Sequence, residues 1–96
     1  MPVFAVTYTY GPDTDSRMEH SPAHRQWQSQ MHEAGTILAS GPLDDEPQPG
    51  GLLLMQAGDR AEIERLLTGD PYASVGVIED TAIRQWTPVF GPFAQD

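Results

Sequence analysis

With no cysteine and no lysine among its 96 residues, the chain offers no thiolate nucleophile, no disulfide, no cysteine-bound zinc and no lysine Schiff base. No Gly-x-Ser-x-Gly elbow is present, which disfavours acyl transfer through a serine intermediate. Acid–base chemistry remains, carried by three histidines and fourteen Asp and Glu residues. Of the histidines, His24 follows Ser21-Pro22, which reads as a helix start: Ser is a good N-cap and Pro is favoured at the first helical position. The partial positive charge of a first helical turn favours a neutral imidazole, and a neutral imidazole serves as a general base near pH 7. Such a base needs its other ring nitrogen held, and a carboxylate does this best. Asp70, pinned by Pro71 behind it, is a candidate for that role. Each residue also has a plainer account: first-turn histidines are commonly capping or surface residues, and Asp before Pro is a common turn residue.

A metal site is the weaker reading of the histidines. His20 and His24 are four apart, and two histidines at that spacing on one helix can share a metal. Pro22 between them is expected to break the register, His32-Glu33 sits elsewhere, and no His-Glu-x-x-His pattern occurs. No metal and no cofactor are expected.

The elements that would position these residues follow from hydrophobic spacing. Residues 2–10 read as a strand, with Phe4, Val6, Tyr8 and Tyr10 on one face and Val3, Ala5, Thr7 and Thr9 on the other. Gly11-Pro12-Asp13 ends it. An irregular turn at residues 17–20 precedes a helix from Ser21, whose apolar stripe is Ala23, Trp27, Met31 and Ala34, with Gly35 suited to stop it. Residues 36–40 form a short strand, residues 41–51 a loop, and Leu52-Leu53-Leu54-Met55 a strand apolar on both faces. A second helix spans residues 59–68, opened by a capping-box-like Asp59-x-x-Glu62 and buried through Ile63, Leu66 and Leu67. After Gly69-Asp70-Pro71 and a short turn, a last strand covers residues 75–87, packed through Val77, Ile83 and Trp86. The tail with Phe90 and Phe93 is a loose end or a docking arm. Tyr8, Tyr10, Trp27, Tyr72 and Trp86 fit core positions by spacing, and Tyr72 is the best pocket candidate because it neighbours Asp70. Asp44-Asp45-Glu46 reads as a solvated loop, and Gly41-Pro42 and Gly50-Gly51 as turns.

The order β-α-β-β-α-β is the ferredoxin-like, split βαβ arrangement in one α+β domain, with a core over about residues 2–87 and a tail over residues 88–96. Two helices cover one face of such a sheet. The apolar third strand therefore calls for a cover on the other face, and a second copy related by two-fold symmetry supplies one simply. Five Arg against the acidic residues leave a net charge of −9. That balance excludes a nucleic-acid backbone or an anionic membrane as partner. No apolar run is long enough to span a membrane and no secretory pattern opens the sequence, so a cytoplasmic location is expected.

Four pieces occur in a specific order: Ser21-Pro22-Ala23-His24; Gly35 with Ala39-Ser40-Gly41-Pro42; Gly51-Leu52-Leu53-Leu54; and Asp70-Pro71-Tyr72 followed by Gly76-Val77. Together they resemble the YCII-like family over about residues 2–86. The resemblance implies a ferredoxin-like fold pairing into a dimeric α+β barrel, similar to muconolactone isomerases. It also implies a cleft in which His24 and Asp70 are the active-site pair. Relatives commonly carry Arg where Ser21 stands here, which leaves Arg17 and Arg25 as substitutes for binding an anionic substrate. Tyr72, Ser40 and Arg17 are the substrate-binding candidates on this reading. The expected function is proton transfer of the lyase or isomerase type on a small molecule, with His24 as base. The alternative is a non-catalytic dimer that binds a small ligand or, through Phe90 and Phe93, another protein.

Overall fold

The computed structural model describes residues 1–44 and 48–94. Strand β1 (Val3–Tyr10) buries Phe4, Val6 and Tyr8 on one face, as the pleat requires of alternate residues. Helix α1 (Thr14–Glu33) follows, then strands β2 (Ile37–Leu43) and β3 (Gly50–Gln56), helix α2 (Arg60–Leu67), the single turn α3 (Pro71–Ser74) and strand β4 (Ile78–Trp86). The sheet order is β2-β3-β1-β4 with every neighbouring pair antiparallel. This is the ferredoxin-like α+β arrangement. Trp27 of α1 and Ile63 and Leu67 of α2 join Phe4, Val6, Tyr8, Ile37, Leu53, Met55 and Ile83 in one core. Both helices thus lie on the same face of the sheet.

Helix α1 begins well before Ser21. Asp13 is its N-cap, the carboxylate accepting from the Ser16 N–H at 3.0 Å, and residues 17–20 are helical rather than an irregular turn. Pro22 therefore lies inside the helix, where it removes one backbone donor without ending the run. His24 lies in the middle of α1 and not in its first turn. His20 and His24 do share one helical register, contrary to the expected break. The helix closes at Gly35, whose φ of 83° suits a residue without a Cβ. The Gly35 N–H reaches the His32 carbonyl and the Thr36 N–H the Met31 carbonyl, a Schellman ending. Helix α2 is held as its sequence suggests: Asp59 accepts from the Glu62 N–H, and the Glu62 carboxylate accepts from the Gly58 N–H.

The remaining differences fall at the sheet edges. Strand β2 runs on past Ser40 through Gly41, Pro42 and Leu43, because an edge strand tolerates a residue without an N–H. Strand β4 starts at Ile78, with Val75 left exposed in the preceding turn. Trp86 ends that edge strand 39% exposed instead of packing into the core, while Val77 and Ile83 are buried. Phe90 is 93% exposed and docks nowhere among the described residues. Asp45 and Glu46, most of the expected acidic loop, lie outside the described residues.

Gly50 and Gly51 belong to β3 rather than to a turn. They sit opposite Thr9 and Tyr8 in the β1 register. A Cβ at Gly50 would be driven into the Tyr8 carbonyl, and one at Gly51 would come within 2.8 Å of the Tyr10 hydroxyl. The absence of a side chain at Gly50 admits the β1 backbone at Tyr8, and at Gly51 it leaves room for the Tyr10 hydroxyl.

Candidate functional site

Asp70 is the fixed point around which the site is built. Its backbone is extended (φ −70°, ψ 123°), as expected of a residue before proline, and it caps α3 with Pro71 at the first helical position. Its side chain has no exposed surface. A carboxylate buried in this way must have partners. Asp70 has three: the Tyr72 N–H donates to Oδ1 at 3.0 Å, the Tyr8 hydroxyl donates to Oδ2 at 3.0 Å, and His24 Nδ1 donates to Oδ1 at 2.7 Å. The last assignment follows from the carboxylate being acceptor-only, which places the imidazole proton on Nδ1.

His24 comes from the middle of α1 and is itself nearly buried. With Nδ1 committed to Asp70, Nε2 is the ring nitrogen left over and has no protein partner among the described residues. The ring lies against Tyr72, and the Tyr72 hydroxyl donates to the Arg17 carbonyl at 3.1 Å. Tyr10 meets the Tyr72 ring edge-on, with centroids 5.5 Å apart and planes at 82°. These contacts leave the imidazole little freedom to turn.

A cavity of about 460 Å³ opens beside this cluster, within the range of small-molecule sites. One wall is a single face of α1, bearing Arg17, Ser21, His24, Arg25 and Gln28. Another part of the lining is the end of β2 with Ser40, Gly41 and Pro42, followed by Leu43 and Asp44, and Tyr10, Pro49, Gly50, Gly51 and Tyr72 complete it. Of the residues singled out from the sequence, His24, Tyr72, Ser40 and Arg17 line this cavity, and Asp70 lies behind His24. His20 and His32 stand apart, each with Nδ1 2.8 Å from a backbone carbonyl, of Ser16 and Ile37 respectively.

Alternation along the strand fits Tyr8 and Tyr10 to core positions, and that pattern conceals their polar ends. Burial first, then the Asp70 carboxylate that accepts its hydroxyl, pushes the Tyr8 phenol far above its ordinary range, so it remains a neutral donor. Tyr10 is pushed up to about 12, chiefly by burial and then by its neighbours Tyr72 and Asp70, with Arg17 pulling the other way. The one readable signal was the period of two itself, which puts both phenols on the helix-covered face of the sheet.

The sheet order and the helix-covered face define a ferredoxin-like α+β domain. Within that class the chain belongs to the family of YCII-related domains, whose family model matches residues 2–87. It is 29% identical over 75 residues to derivative of benzaldehyde biosynthesis cluster protein C of Emericella nidulans, covering 69% of this chain and 76% of that protein. Its fold is also similar to that of 5-chloro-2-hydroxyhydroquinone dehydrochlorinase from Burkholderia phenoliruptrix AC1100, solved in complex with 2,5-dihydroxybenzoquinone. That likeness has a TM-score of 0.75 and 22% identity, and covers 88% of this chain and 93% of the other. Among the described residues, no helix is long and apolar enough to cross a membrane.

Proposed function

We propose that this protein catalyses proton transfer on a small hydroxylated ring compound, in an elimination or isomerisation, with His24 as general base and Asp70 as the group that orients it. The observation that carries the reading is the His24 Nδ1 to Asp70 Oδ1 contact of 2.7 Å at the wall of a cavity. It fixes one tautomer and leaves Nε2 as a base toward the ligand space. Nε2 takes a proton from a hydroxyl or from a carbon beside a carbonyl. The freed electron pair moves into the ring system, and either a leaving group departs or the proton returns at another carbon. Asp70 keeps its hold on Nδ1–H throughout and stabilises the imidazolium formed in between. Tyr8 and the Tyr72 N–H hold the carboxylate itself in place. The structural neighbour named as a dehydrochlorinase supports an elimination of this type, and the ring compound in its structure is of a size that suits a cavity of this volume.

The test is chloride release from a chlorinated hydroxyhydroquinone, followed together with quinone absorbance. Replacing a general base costs roughly 100- to 10,000-fold in rate, so His24→Asn is expected to lose turnover on that scale while remaining folded. An unchanged rate in that variant would remove the base from the mechanism.

We further infer a homodimer through the uncovered face of the sheet. Ala5, Thr7, Leu52 and Leu54 point away from the helices and are half-buried at most. Ala39 and Gly41 pair with Leu54 and Leu52 in the next strand, extending this small, apolar surface to the edge. A second sheet packed on it would remove this surface from water.

A further inference from the structure

The cavity beside His24 holds a charge with no ion-pair partner among the described residues. Arg17 lies on α1 two turns before His24. Its guanidinium carbon is 5.2 Å from the centroid of the Tyr10 ring, and its backbone carbonyl accepts the Tyr72 hydroxyl. Among the described residues no carboxylate comes within ion-pair distance of this guanidinium, and Nη1, shielded from solvent, has no hydrogen-bond partner. A cation drawn out of water is stabilised by an anion, and none of the described residues pairs with this one. Arg25 lines the same cavity. Two of the five cationic side chains of a chain with net charge −9 therefore meet in one small space. Asp44 is the one carboxylate among the described lining residues.

We propose that this cavity is an anion site in which Arg17 determines specificity: it selects planar rings that are ionised at neutral pH, such as acidic enols and hydroxyquinones, over uncharged phenols of the same size. The proposal rests on the cavity being where substrate meets His24, and it adds the charge state in which that substrate enters. A ring that arrives as an anion gathers further negative charge on oxygen as His24 draws off a proton. A guanidinium already fixed beside that oxygen stabilises the change without having to reorganise. Tyr10 supports the guanidinium from its ring face, which keeps the planar fork in one orientation.

Calorimetric titration of the intact protein with two probes tests this: 2,5-dihydroxybenzoquinone, which is ionised at neutral pH, and hydroquinone, which is not. The wild type is expected to prefer the ionised probe. A charge-assisted hydrogen bond corresponds to roughly 10- to 100-fold in affinity. Arg17→Gln should lose that factor for the ionised probe and leave hydroquinone binding unaltered, and Arg17→Lys should restore part of it. Acidifying the wild-type titration until the quinone is protonated should abolish the preference, which tests the idea even if a variant fails to fold. Equal losses for both probes, no preference in the wild type, or no binding of the quinone would each overturn the proposal. His24→Asn separates this from the proton-transfer reading. In that variant a surviving preference with lost turnover keeps both readings, a surviving preference with an unchanged rate keeps the anion site and removes the base, and a wild type that turns over without a preference keeps the base and removes the anion site.

Discussion

The His24 imidazole lies flat on the Tyr72 ring, with centroids 3.9 Å apart and planes 7° from parallel. Stacking fixes the plane of the imidazole, while the Asp70 contact fixes its rotation within that plane. Together they present Nε2 in one direction, which is what a general base requires. Tyr72→Leu is therefore expected to loosen the ring and lower kcat, with a loss of about 0.5–1.5 kcal/mol from the ring pair. Tyr72→Phe keeps the stack and gives up only the hydroxyl bond to the Arg17 carbonyl, so its kcat should stay close to wild type. Steady-state kinetics of the two variants, with thermal melts as control, check this.

Substitutions at Asp70 should separate fold from chemistry. Asp70→Ala leaves the Tyr8 hydroxyl, the Tyr72 N–H and His24 without their buried acceptor, a loss on the order of 3–5 kcal/mol. In Asp70→Asn the amide oxygen can still receive His24 and the Tyr72 N–H, and the amide nitrogen can face the Tyr8 oxygen. That variant should melt near the wild-type temperature, yet without a negative charge beside the imidazolium its turnover should fall steeply. Melting curves paired with turnover measurements read the two effects apart.

Alkaline pH should destabilise the protein through its buried phenols. An unfolded tyrosine ionises near its ordinary value of 10.0, whereas Tyr10 in the folded chain is pushed up to about 12. Between those values the unfolded chain gives up a proton that the folded chain retains. The stability tied to Tyr10 is thus whole below pH 10 and is lost as the pH climbs toward 12. Tyr8, raised further still, extends the decline upward. Denaturant unfolding at stepped pH should show the fall, and Tyr10→Phe should flatten its first part.

The uncovered sheet face yields a prediction on assembly. Leu54→Glu places a charge in the middle of that face, beside Ala5 and Ala39 in the register. A dimer held there should dissociate, which sedimentation velocity would report as a shift to the monomer mass. The monomeric core should remain intact, because Leu54 is not part of the cluster beneath the helices.

Much of the architecture could be read from the residues because burial leaves periodic marks. Phe4, Val6 and Tyr8 alternate, Ile63 and Leu67 recur at helical spacing, and Asp59-x-x-Glu62 announces a helix start. The first turns of α1 carry no such mark. Residues 14–20 place little apolar surface against the core, and Ser21-Pro22 imitates a helix start so well that Asp13, the true cap, is masked. The same cause hid the wall of the cavity. Arg17, Ser21, His24, Arg25 and Gln28 form one helical face only if the helix already includes residue 17. Likewise Pro42 and Gly50 carry turn-like propensities but sit in strands, where edge position and close backbone approach override local preference. Motif order puts His24 and Asp70 forward as a candidate pair. It says nothing of Tyr8, since an alternating strand tyrosine gives no sign of what its hydroxyl touches.

Asp70 gathers a hydroxyl from 62 residues away and an imidazole from 46 residues away. Neither partner is a neighbour that local folding could bring in early. A chain with only its helices formed, or only its β2–β3 pairing, has its histidine and its carboxylate in separate surroundings. The cluster is therefore assembled all at once or not at all: Tyr8, His24 and Asp70 meet only in a molecule whose first strand has closed between the two on either side of it.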